Sequence, residues 1–203
     1  MTVYKRKYCS YEQYIRHQAR KSKKICISKA KFKENIHSFC KRFDKFIKYF
    51  SGQDILCLGA RWGEEVLALR SLGFTKTIGI DLNPGKFGKK YGHVIKGDFN
   101  NIFFENETFD TIYTNAIDHA WNIALLFKEV NRVLRKNGIF ILEVSHIVGE
   151  TQKTRKLLVS GGNKYEVTVF DSIEDICKYS QDFEMVNTFR GLVQNIIVVF
   201  RKK

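Results

Sequence analysis

The 203-residue chain predicts an α/β fold: a doubly wound, mostly parallel seven-stranded sheet that ends in an antiparallel hairpin and is preceded by an N-terminal helical extension. Three observations predict it. From residue 54 onward, short apolar β runs alternate with helical stretches, a pattern that requires parallel strands joined by helical crossovers. The last two β runs, FEMVNTFRG (183–191) and QNIIVVFRK (194–202), are separated by too few residues for a parallel crossover and must pair antiparallel. Before residue 50 the periodicity is helical throughout.

Taken in order, residues 10–24 and 31–50 predict two helices, the second with Phe39, Phe43, Phe46, Ile47 and Phe50 at spacings of three and four. This stripe reads as core packing, so residues 1–50 form an extension lying on a main domain of residues 51–203. DILCLG (54–59) is the first strand of that domain, 64–73 a helix closed by Gly73, and KTIGID (76–81) the second strand. Strands follow at 91–99 and 109–116. An amphipathic helix over 123–138, stopped by Asn137 and Gly138, leads to a strand over 138–145. Then come a polar stretch (146–164), a β run (165–170) and a short helix over 172–180 before the hairpin.

Composition narrows the setting. Five cysteines, odd in number and without C-x-x-C or zinc-ligand spacing, read as free thiols in a reducing compartment and predict no metal site. With neither a membrane span nor a signal-peptide core, the expectation is a cytoplasmic protein, with the nucleus also open. The first fifty residues hold fifteen Lys and Arg against three acids, so all but two of the +14 net charges lie there. Such a concentration either attracts nucleic acid or another phosphate-bearing partner, or is a solvated helical face.

In an open α/β sheet the ligand sits outside the carboxyl ends of the strands. Four places there carry chemistry. The turn Gly59-Ala60-Arg61-Trp62-Gly63 offers close backbone approach and a helix N-terminus. Its lack of a middle glycine, with Arg61 in that position, argues against a nicotinamide dinucleotide. Asp81, 22 residues after Gly59 and followed by Leu82, ends the second strand, where a carboxylate can accept from both ribose hydroxyls or simply open an Asp-Leu-Asn-Pro turn. Asp98 and Phe99 follow the third strand, suited to the adenine amino group and ring, with plain core packing open for Phe99. After the fourth strand come Asn115, Asp118, His119 and Trp121; Asp118 and His119 are the candidates to take a proton from a substrate, with His146 as a substitute.

The order ILCLGARWGEEV, IGIDLNPG, GDFNNIFFENETFDTIYTNAIDHAW and EVNRVLRKNGIFILEVS resembles class I S-adenosylmethionine-dependent methyltransferases, especially their type-11-like branch, over about residues 52–145. The resemblance implies a Rossmann-like fold, S-adenosyl-L-methionine as cofactor and methyl transfer as activity. It further implies that Gly59 and Gly63 shape the turn around the methionine part, that Asp81 binds ribose, that Asp98 and Phe99 flank adenine, and that Asn115 lies beside the methionine moiety. Two positions depart from the family pattern: Cys57 stands where an acidic residue is usual, and Arg61 where many members have glycine. The methionine carboxylate then falls to Arg61, or to Gln18 or Lys21 closing over it. The acceptor stays open, as does a methyltransferase-like scaffold that binds nucleic acid through the basic extension without catalysing transfer.

Overall fold

The computed structural model describes residues 4–5, 8–91, 93–144, 168–170, 172–191 and 195–203. Its main sheet joins seven strands: β2 (Ile55–Leu58), β3 (Ile78–Asp81), β4 (Val94–Lys96), β5 (Phe109–Thr114), β6 (Leu134–Val144), β8 (Phe183–Arg190) and β9 (Ile196–Lys202). Their spatial order is β4-β3-β2-β5-β6-β9-β8. The first five run parallel, and β9 lies antiparallel to both β6 and β8, as the hairpin predicts. A separate two-stranded ladder pairs β1 (Tyr4–Lys5) with β7 (Thr168–Val169), part of the run read as a strand over 165–170. Residues 146–164 and His146 lie outside the described residues.

The sheet is covered on both faces because its central strands are apolar on both. All four residues of β2 are buried. One face packs α5 (Ile123–Val133) and α6 (Ile173–Cys177) around Phe127, Phe140, Phe183 and Phe200. The other packs α2 (Lys29–Phe43) and α3 (Glu64–Ser71) around Phe43, Leu69, Tyr113 and Val199. The remaining helices are α1 (Tyr11–Lys24) and the short α4 (Lys86–Tyr91). Ser10 caps α1 and Ser28 caps α2, each hydroxyl accepting from the backbone N–H three residues on, at 3.2 and 3.1 Å. None of the described helices is long and apolar enough to cross a membrane.

Two helix ends differ most from the sequence reading. The second N-terminal helix stops at Phe43 instead of running to residue 50. The N–H groups of Lys45 and Phe46 bond three residues back, and a single 3-10 turn (Ile47–Tyr49) follows. This tighter path bends the chain toward β2 while keeping Phe46 and Phe50 against Phe43 at ring separations of 5.7 and 5.5 Å. Likewise α5 ends at Val133 and not at residue 138. Leu134 already pairs with Phe109, and Asn137, at φ 61, serves a bend inside the strand rather than a helix terminus.

Phe43 is fully buried, with its ring edge-to-face on Tyr113 at 5.0 Å, so the extension and the sheet share one core. Replacing Phe43 by alanine should cost about 3–5 kcal/mol in urea unfolding. A change under about 1 kcal/mol would show that α2 contributes little to the folded core.

Candidate active site

The strand order reverses between β2 and β5, which opens a crevice at their carboxyl ends. Gly59 leaves β2 at φ +76 in the left-handed region, and a Cβ there would lie 2.6 Å from the Cβ of Ala116. Gly63 caps α3 at φ 80. The N–H groups of Gly59 and Ala60 both donate to the Ile80 carbonyl, at 2.8 and 3.1 Å, tying the turn to β3. Thr114 Oγ1 donates to the Leu58 carbonyl at 2.9 Å and accepts from the Ala116 N–H at 3.1 Å, which fixes the loop after β5 against the same turn.

A cavity of about 230 Å³ fills this crevice. From the sheet it is lined by Gly59, Arg61, Asp81, Leu82, Asn83, Phe99, Asn115, Ala116 and His119, and from α1 by Tyr14, Gln18, Lys21 and Ser22. Of Gly59, Ala60, Arg61, Gly63, Asp81, Leu82, Asp98, Phe99, Asn115, Asp118 and His119, seven therefore meet here. Ala60 lines an adjoining cavity, whereas Gly63, Asp98 and Asp118 lie outside the lining of both. Gln18 and Lys21 line the same cavity as Gly59 and Arg61. Tyr14, Ser22, Asn83 and Ala116 were missed, although Tyr14, Gln18, Lys21 and Ser22 fall on one helical face by their spacing.

Asp81 opens the turn that its sequence offered and also lines the cavity. Its Oδ1 accepts from the Asn83 N–H at 2.6 Å, opening the turn, and its Oδ2 accepts from the Arg61 N–H at 3.2 Å. Each oxygen keeps a lone pair for the cavity. Burial pushes this carboxyl above its ordinary value, opposed by the two N–H groups and by the Arg61 and Lys21 charges. Phe99, 5% exposed, belongs to the core and lines the cavity as well. Asp98 accepts from the Tyr11 hydroxyl and from the Asn100 N–H, so α1 covers it.

The roof is aromatic and basic. Tyr14 lies 5.6 Å from Trp121, ring to ring, and its hydroxyl donates to the His119 carbonyl at 3.0 Å. Lys21 Nζ is 3.0 Å from His119 Nε2, and Asp118 Oδ2 is 3.8 Å from the same nitrogen. An ammonium donating to Nε2 requires an imidazole neutral at that atom. Arg61 donates from Nη2 to the Ser22 carbonyl at 3.1 Å and rests over Trp62, joining turn to roof. Two buried donors facing this region, Gln18 Nε2 and Arg61 Nε, have no hydrogen-bond partner among the described residues.

Two further cavities flank the first. One, of about 240 Å³, lies between α2 and the turn and is lined by Asn35, Phe39, Gly59, Ala60, Arg61, Trp62, Glu64, Glu65 and Asn115. The other, of about 440 Å³, borders Leu82 and Asn83 and carries Lys23, Lys86, Lys89 and Lys96. Glu65 is only 4% exposed. Burial, and secondarily the Glu64 charge, pushes its carboxyl up to about 8.

A sheet of this order, with an acid at the end of β3 and a glycine turn after β2, defines a Rossmann-like α/β domain, and the comparisons bear on its class. Residues 56–142 match the methyltransferase-domain family model. The fold is that of class I S-adenosylmethionine-dependent methyltransferases. A chain from the Haloferax volcanii complex of a methyltransferase activator with a methyltransferase superposes with a TM-score of 0.69 at 13% identity, over 86% of this chain and 94% of that one. An S-adenosylmethionine-dependent methyltransferase of Thermotoga maritima gives 0.61 at 17% identity, over 83% and 89%. An uncharacterized protein of Methanocaldococcus jannaschii is 28% identical over 172 residues, which is 71% of this chain; the chain spans 66% of that relative's length.

A carboxyl near 8 in the folded chain and near 4.5 when unfolded binds the extra proton in the folded state, so its stability contribution is complete below about pH 4.5 and is lost as pH rises to about 8. Replacing Glu65 by glutamine should remove this dependence. Between pH 5 and 8 the wild-type chain should lose more unfolding free energy than the variant, by an amount on the order of a few kcal/mol in urea titrations. Parallel curves for the two would place the Glu65 carboxyl in its ordinary range.

Proposed function

We propose that the chain is a methyltransferase that binds S-adenosylmethionine in the cavity beneath α1 and transfers its methyl group to an acceptor entering beside His119. The observation that carries this reading is Asp81: a buried carboxylate at the end of β3, held by backbone N–H groups with a lone pair left on each oxygen. A ribose diol is the complement of that arrangement. Phe99 offers a face for adenine with Asp98 and Leu82 nearby, and residues 59–63 shape the wall for the amino-acid part. Asn115, Gln18 Nε2 and Arg61 supply donors for a carboxylate, which fits the two orphaned donors.

The bound cofactor supplies an activated methyl carbon, so the protein's work is alignment and exclusion of water. Tyr14, Gln18 and Lys21 roof the cavity, and the Tyr14–Trp121 contact anchors that roof to the loop after β5. His119, at the cavity wall beside Lys21 and Asp118, is the group placed to take a proton from an acceptor. The lysine-lined cavity supports a phosphate-bearing acceptor, nucleic acid included, because four ammonium groups border the route past Leu82 and Asn83.

Replacing Asp81 by alanine should weaken S-adenosylmethionine binding by about 10- to 100-fold in calorimetry, the value of hydrogen bonds to a charged group. Unchanged affinity would remove the ribose assignment. Incubation with labelled cofactor and separate RNA, protein and small-molecule pools should label one pool. Salt-dependent nucleic-acid binding without any transfer would favour a non-catalytic scaffold instead.

A further inference from the structure

Glu65 is the buried titratable group that the proposed reaction leaves unused. Glu65, 4% exposed, is one of the residues lining the cavity between α2 and the turn, and its carboxyl is reached by its own backbone N–H and by no other described donor. Its neighbour Glu64 is engaged: Asn35 Nδ2 donates to it at 3.0 Å, and the Arg61 charge acts on it. The next cation, Arg42, is paired with Glu143, whose other partner is the Tyr113 hydroxyl at 2.6 Å. Arg61 thus acts on Glu64, whereas the cation that acts on Glu65, Arg42, is already paired elsewhere. A buried acid without a counter-charge is costly unless a ligand supplies the charge.

We propose that this cavity is a subsite for an alkylammonium group and that Glu65 is the carboxylate that pairs with it. The cavity shares Gly59, Arg61 and Asn115 with the larger one, so its occupant touches whatever lies along the turn. Phe39 and Trp62 give the methylene part an apolar wall, and Glu64 and Glu65 receive the nitrogen end. The inference rests on the reading that the larger cavity holds the nucleoside cofactor. Two sources then offer the required chemistry: the amino group of the cofactor's own amino-acid end, or an amine on the acceptor.

Pairing also sets a proton count. The groups that act on Glu65 are Glu64 on its own helix, Asp81 from β3, Arg42 from α2, and Cys57 and Tyr113 from β2 and β5. Only Arg42 among them favours ionisation, so at pH 7 the empty site keeps its proton. An entering ammonium forces that proton off. Binding at pH 7 should therefore release about one proton, read by calorimetry in two buffers of different ionisation enthalpy.

The test uses the full-length wild-type chain and Glu65→Gln, a substitution that keeps the shape and removes the charge. The probes are S-adenosylhomocysteine, 5′-methylthioadenosine, which lacks the amino-acid end, and propylammonium added to protein saturated with S-adenosylhomocysteine. Loss of at least about tenfold in S-adenosylhomocysteine affinity in the variant, with methylthioadenosine unchanged, supports the proposal with the cofactor's amine as occupant. Unchanged nucleoside binding with loss of propylammonium binding supports it with an acceptor amine. If the variant leaves all three affinities unchanged, or the wild type releases no proton, the proposal is overturned. A wild-type chain that binds neither nucleoside would instead remove the cofactor reading, and propylammonium on the free protein would then decide for or against the subsite.

Discussion

Everything at the mouth of the sheet follows from how closely the turn after β2 meets the loop after β5. At Gly59 no side chain fits: the backbone is left-handed, and the space a Cβ would need is taken by Ala116. That contact leaves room for the Gly59 and Ala60 N–H groups to share the Ile80 carbonyl, which in turn places Arg61 where its N–H reaches Asp81. Loosening the turn would therefore move the acid, the arginine and the start of α3 together. The site is preorganised because its parts hang on backbone hydrogen bonds among buried strands, where relaxation is small.

The N-terminal helices are half of this site. Helix α1 contributes Tyr14, Gln18, Lys21 and Ser22 to the cavity, and α2 contributes Asn35 and Phe39 to the adjoining one. Their attachments differ in kind. Helix α2 is held by buried rings and by the Arg42–Glu143 pair, which reaches through to Asn195 ahead of β9. Helix α1 is held mostly by polar and aromatic contacts at the ligand side: Tyr11 to Asp98, Tyr14 to His119 and Trp121, Arg61 to Ser22. It buries Tyr14 alone among its residues. Elements with so little buried apolar surface open at lower cost than core helices.

Strand order and hairpin were legible because their signals are local: apolar runs of four to eight residues, glycine punctuation, and a connection too short to cross over. Asp81 and the 59–63 turn were legible for the same reason, since both sit where a strand must stop. The roof was not. Gln18 and Lys21 were named only as means of closing the site, and Tyr14 went unnoticed, because nothing in α1 itself records that its polar face meets Asp81 and His119 across more than sixty residues of sequence. The early end of α5 was likewise hidden. Helical periodicity runs on through residues 134–138, and only the pairing of Leu134 with Phe109 ends the helix.

The unusual residue at the strand end and the unusual residue on the helix explain each other. Cys57 is wholly buried in β2, and burial together with the charge of Glu65 pushes its thiol well above the ordinary value, so it stays neutral. An acid at position 57 would set a second carboxylate against Glu65, with Glu64 and Glu143 already near and with Arg61 and Arg42 already engaged. Two like charges that close in a dry interior cannot both ionise. A neutral side chain on the strand avoids that conflict with the acids of α3. Cys57 thus gives Glu65 a neutral neighbour on the strand.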